Sequence, residues 1–105
     1  MSFRRATIRA RAPEAQNLED RLFQEMRAPS EDPDAQPIIV AEPPDPAPIT
    51  RLFVIWDEWG ALSQQERSEI ITNAYLRAHG QADALRLSVA MGVTRAEAVR
   101  MGLTS

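Results

Sequence analysis

Chemistry in a chain of 105 residues must come from few side chains, and the reactive types are scarce here. There is no cysteine and one histidine, His79. Without cysteine there is no disulfide, no thiolate metal ligand and no thiol nucleophile, so the sequence sets no redox compartment. One histidine falls short of the ligand count of an ordinary zinc centre. It precedes Gly80 and reads as a solvated residue at a helix C-terminus, where the helix dipole favours a positive group. Asp57 and Glu58 are adjacent at the end of a strand-like run. Neighbouring strand residues point to opposite faces, so these carboxylates make poor acid–base partners. Ser63 has no G-x-S-x-G elbow around it, and its hydroxyl is better placed to cap a helix. The residues therefore predict no enzyme, no cofactor and no metal site.

Binding is the better expectation. Two tryptophans, Trp56 and Trp59, are costly in so small a chain, and tryptophan is enriched at interface hot spots. The plain reading puts Trp56 in the core and Trp59 over a strand–helix corner; the functional one makes Trp59 an exposed anchor. A second apolar set lies upstream. Leu18, Leu22 and Met26 recur at i, i+4, i+8 with Phe23 beside them, striping a helix over residues 14–28. The candidate partner-binding set is thus Leu18, Leu22, Phe23, Met26 and Trp59.

The elements that must position these residues divide the chain in two. All eight prolines lie in residues 1–48 and all four glycines in residues 49–105. Residues 1–37 read as an arm: a basic tail, the helix over 14–28 started by Pro13 and stopped by Pro29, and an acidic, proline-punctuated linker expected to be disordered. Residues 38–103 read as one compact module. Ile38–Val40 is a short β-branched run that suits an edge strand. The proline-rich stretch 43–48 cannot join a central sheet. Leu52–Trp56 is a continuous apolar run, which suits a strand buried on both faces. Ser63 and Glu66 form a capping box for a helix over 63–79, with Ile70, Ile71, Ala74, Tyr75 and Ala78 on one face. Gly80 stands where a positive φ would end that helix. Residues 84–91 alternate Leu85, Leu87, Val89 and Met91 with smaller or polar residues, a period of two that favours a strand over a helix. Thr94 and Glu97 cap a last helix, with Gly102 beyond it.

Charge is uneven. Residues 1–28 carry six Arg against four acids, residues 29–48 five acids and no base, and residues 49–105 six of each. The folded half therefore has little field with which to steer a polyanion. All twelve basic residues are Arg, a pattern that GC-rich bacterial codon usage produces. No apolar run approaches membrane-spanning length. A secretory leader is not expected, and Arg-rich residues 1–13 read as the tail of a cytoplasmic protein rather than a transit peptide.

The predicted fold is α+β, a small three-stranded mixed sheet with packed helices in the order α-β-β-α-β-α. That order resembles the BolA-like family, related in shape to one class of KH domain. The local likeness rests on Trp59, Ser63, Glu66, Arg67, Ile70 and Ile71, then Ala84 and Leu85, then Thr94 and Glu97, across residues 50–100. The resemblance implies that a family histidine associated with iron–sulfur binding beside a monothiol glutaredoxin would fall at Asp83, and another at Ser68. Cluster chemistry is therefore not expected. The G-x-x-G loop with which KH domains clamp nucleic acid is absent.

An alternative remains on the sequence: a β-α unit followed by a helix-turn-helix over residues 82–102. There Gly92 would make the turn, and Arg95 and Arg100, with Thr94, would face nucleic acid. The first expectation is a small regulatory or adaptor protein acting through a protein partner or self-association. The alternative is a DNA- or RNA-binding regulator.

Overall fold

The structure, a computed structural model, describes residues 13–32, 34–44 and 46–103. The basic tail with Arg4, Arg5, Arg9 and Arg11 lies outside them. The elements run α1 (Pro13–Arg27), β1 (Ile38–Glu42), β2 (Arg51–Ile55), a 3-10 turn (Asp57–Trp59), α2 (Gln64–His79), α3 (Gln81–Ala84), β3 (Val89–Val93) and α4 (Arg95–Met101). The class is the α+β one expected, with a three-stranded mixed sheet.

Strand order is β1-β2-β3. β1 pairs antiparallel to β2, with Ile39 opposite Val54 and Val40 opposite Phe53. β3 pairs parallel to β2, with Phe53 opposite Met91 and Val54 opposite Gly92. The parallel pair needs a crossover, and α2 with the short α3 supplies it. The apolar run is central, as its length suggests, and the strand expected over 84–91 begins later, at Val89. Residues 81–84 close a short helix instead, because Gly80 at φ +93° turns the chain directly from α2 into α3.

The two long helices, α1 and α2, lie on one face. α2 buries Ile70, Ile71, Ala74 and Tyr75 in one cluster with Leu52, Val54, Trp56 and Trp59. α1 joins the same cluster through Ala15, Leu18, Leu22 and Met26. Glu19 of α1 meets Arg77 of α2 at 3.3 Å, and the Arg77 guanidinium stands 4.2 Å over the Phe23 ring. Full burial of a Leu or Met side chain contributes roughly 2 kcal/mol, so a division at residue 37 would cut through a shared core. The segment after α1 is tied locally: Glu25 accepts from the Ser30 N–H at 2.7 Å, and Asp32 from the Asp34 N–H at 2.9 Å.

Both capping boxes form, Ser63 with Glu66 and Thr94 with Glu97. Arg67 binds the pieces together. Its side chain is buried, and it donates to the Leu62 carbonyl at 3.0 Å, the Gly92 carbonyl at 3.1 Å and Glu97 Oε1 at 2.9 Å. A charge held so far from water needs such partners. This network fixes α2, β3 and α4 in one arrangement.

Candidate protein-docking face

The residues singled out for partner binding are mostly interior. Leu18, Leu22 and Met26 are 5%, 0% and 7% exposed and form the seam between α1 and the layer beneath it. Phe23 packs against that cluster, with Arg77 and Arg27 over its ring. Trp59 is fully buried. Its indole N–H donates to the Val54 carbonyl at 3.0 Å, and its ring meets Trp56 edge to face at 5.2 Å. Trp59 is therefore the strand–helix corner rather than an anchor. The whole set serves the core, because a stripe of this spacing finds its apolar partner inside the same chain.

The helix-turn-helix alternative is corrected by the same coordinates. Gly92 is a buried residue of β3, not a turn between helices. Arg95 and Arg100 do lie on one exposed helix, α4. The Arg95 N–H donates to Asp57 Oδ1 at 2.9 Å, which docks the start of α4 on the 3-10 turn. A strand, β3, rather than a helix directly precedes α4. His79 closes α2, exposed, with its ring 4.6 Å from that of Tyr75. Among the described residues no group of three or more His, Asp or Glu is arranged to hold a metal ion. Nor is any helix among them long and apolar enough to cross a membrane.

The opposite face of the sheet carries what sequence reasoning missed. Alternation along the strands sends three rows of side chains away from α1 and α2. The first row, Ile38, Ile55 and Val93, is covered by Ala98 of α4, and Leu103 packs beside it. The last contains Glu42 and Arg51, paired at 3.0 Å. Between them run Val40, Phe53 and Met91, directly opposite one another across the three strands. All three are half-buried. Val40 and Met91 touch the α4 cluster, whereas Phe53 belongs to neither core cluster. On α4, Val99 and Met101 are 58% and 48% exposed.

Two features shape what this face can accept. α4 has only seven residues and covers one end of the sheet. The part it leaves open holds the Val40–Phe53–Met91 row and the Glu42–Arg51 pair. The outer edge of β3 is also blocked against an added strand. The Val93 carbonyl accepts from Trp56 N–H within the sheet, so those of Ala90 and Gly92 point outward. Ser68 Oγ donates to the first at 2.6 Å and Arg67 to the second. An edge whose carbonyls are already taken is a poor template for strand addition.

Neither a family model, nor a curated protein, nor a solved structure matches this chain.

Proposed function

We propose that this protein is a small non-enzymatic adaptor that holds an apolar helix of a partner protein against the open face of its sheet. The observation that carries this reading is Phe53: a half-buried central-strand aromatic that joins no core cluster, in line with Val40 and Met91. Aromatic and methionine side chains are the types enriched in interface cores. The row between α4 and the Glu42–Arg51 pair spans three strands, about 14 Å across. Taking one two-residue repeat, about 7 Å, as its depth, the row offers roughly 100 Å², well under the ~800 Å² per partner of a standard interface. A short helix at modest affinity suits it better than a stable dimer. The likeness to the BolA-like family enters as a proposal on the residues that suggested it; Asp83, at the position of that family's histidine, is engaged by Arg86 at 3.2 Å.

The test places a photo-crosslinking residue at position 53 and, as control, at exposed Glu69 on α2, in the cell of origin. A discrete protein adduct at 53, absent at 69 and retained at high salt, supports the reading. Adducts that form equally at both positions overturn it. A nucleic-acid adduct lost steeply with salt points to the alternative regulator, and an adduct with a second copy of this chain to self-association.

A further inference from the structure

On the helix side of the sheet, away from the docking face, two cavities share one wall. The larger, about 470 Å³, lies between the C-terminal ends of α1 and α2 and β1, lined by Met26, Ile39, Ile49, Leu52, Tyr75 and His79. Its volume is in the range of small-molecule pockets. The smaller, about 240 Å³, is more polar and is formed by Pro46, Pro48, Ile49, Tyr75, Asp83 and Arg86. Ile49 and Tyr75 belong to both.

Tyr75 is the unusual group. It is 5% exposed, yet among the described residues its hydroxyl has no hydrogen-bond partner. Buried tyrosine hydroxyls ordinarily find one. Burial, followed by the Asp83 charge, pushes its pKa up against a smaller opposing effect of Arg86. The group is therefore a neutral phenol with a proton to donate. Both charges that act on it are walls of the smaller cavity, which places the hydroxyl at that end of the ring.

We infer that these cavities form one site for a small uncharged amphipathic molecule, its apolar body in the larger cavity and a carbonyl or hydroxyl oxygen accepting the Tyr75 proton. Charge selects the class. The rim of the larger cavity carries Glu25, Glu31 and Asp32, which repel an anion. Arg86 is already neutralised by Asp83 at 3.2 Å. A cation would be held in water at those same rim carboxylates rather than carry its charge into the apolar chamber.

The experiment follows backbone amide shifts of the full chain during titration with 4-phenylbutan-2-one, 4-phenylbutanoate and 4-phenylbutylamine, one apolar body with a neutral, an anionic and a cationic head. Saturable shifts at Ile39, Ile49 and Tyr75 with the ketone, and weaker binding of both ions, are expected. Tyr75→Phe should weaken the ketone about three- to tenfold, the effect of one hydrogen bond. The same variant should melt no lower than the parent, because the hydroxyl it removes bonds nothing among the described residues. Ala41→Trp, which puts bulk at the wall of the larger cavity, should abolish binding of all three. Absence of saturable shifts, tighter binding of either ion, or unchanged ketone affinity in Tyr75→Phe overturns the assignment. A lower melting temperature in Tyr75→Phe does so too, since it would show the hydroxyl bonded within the fold.

Discussion

One methyl group added at position 92 tests whether the core is built around Trp59. Gly92 does not have positive φ, so the glycine is there for space rather than for backbone freedom. An added Cβ would lie 2.8 Å from Trp59 Cε2 and Nε1 and 3.0 Å from Arg67 Cβ. Neither neighbour yields easily. The indole is fully buried and holds the Val54 carbonyl at 3.0 Å, and Arg67 is pinned by three acceptors. The ring must retreat by roughly 0.6 Å to regain the 3.4 Å of ordinary contact, which strains or breaks its hydrogen bond. Overpacking costs about 1–3 kcal/mol, and a buried pair left unsatisfied costs about 1–3 kcal/mol. Gly92→Ala should therefore lose roughly 2–6 kcal/mol in a urea melt followed by circular dichroism. In a domain this size that lowers Tm by on the order of 10–30 °C. Trp59→Phe removes the crowded Nε1, so the methyl should cost less in that background, with a coupling of at least ~1 kcal/mol between the two changes. A loss under ~1 kcal/mol in the single variant, or strict additivity in the double, refutes the reasoning.

Three further outcomes follow from the same coordinates. Leu22→Ala should cost about 2–5 kcal/mol, because Leu22 is fully buried between α1 and the core; removal of residues 1–28 should abolish the cooperative thermal transition, and a retained transition would make α1 an appendage. Glu97 is held below the ordinary carboxylate range first by the Thr94 backbone N–H and then by Arg67. Its contribution is thus complete above the unfolded value of about 4.3 and lost as pH falls through the lower folded value, so Glu97→Gln should be less stable at neutral pH and converge with the parent under acid, as pH-dependent urea melts would show. Phe53→Ser should change stability by no more than ~1 kcal/mol, the span of strand preference, while removing the protein adduct formed from a photo-crosslinking residue at neighbouring Met91; a larger loss would make Phe53 a core residue.

Much of the fold was legible because its signals are local. Ser63 with Glu66 and Thr94 with Glu97 name helix starts by hydrogen bonds that close within four residues. The run Leu52–Trp56 marks the central strand by length and lack of polarity. The start of β3 was displaced because Leu85 and Leu87 alternate with polar residues yet fall after Gly80 and a short helix, where the tertiary path overrides the period. The site was less legible for a physical reason. An apolar stripe on a helix reads the same whether its partner is foreign or is α2 of the same chain, so Leu18, Leu22 and Met26 looked available. Phe53 was hidden in the opposite way: in a continuous apolar run every residue looks interior. Its signal was in the count of covers, since both long helices lie on one face and seven residues of α4 remain for the other.

That unequal allocation is the step from fold to function. A three-stranded sheet has two faces to cover, and α1 with α2 gives one of them a layer that buries both tryptophans. The other receives a helix that buries a single alanine. The uncovered row is apolar across all three strands, and strand addition at the β3 edge is blocked by Ser68 and Arg67. What fits is a segment that brings side chains and no backbone hydrogen bonds. The charge balance of residues 49–105 works in the same direction, since a neutral module does little to attract nucleic acid over distance. On the proposed reading, recognition comes from contact rather than from a long-range field, and Phe53 is the residue that offers it.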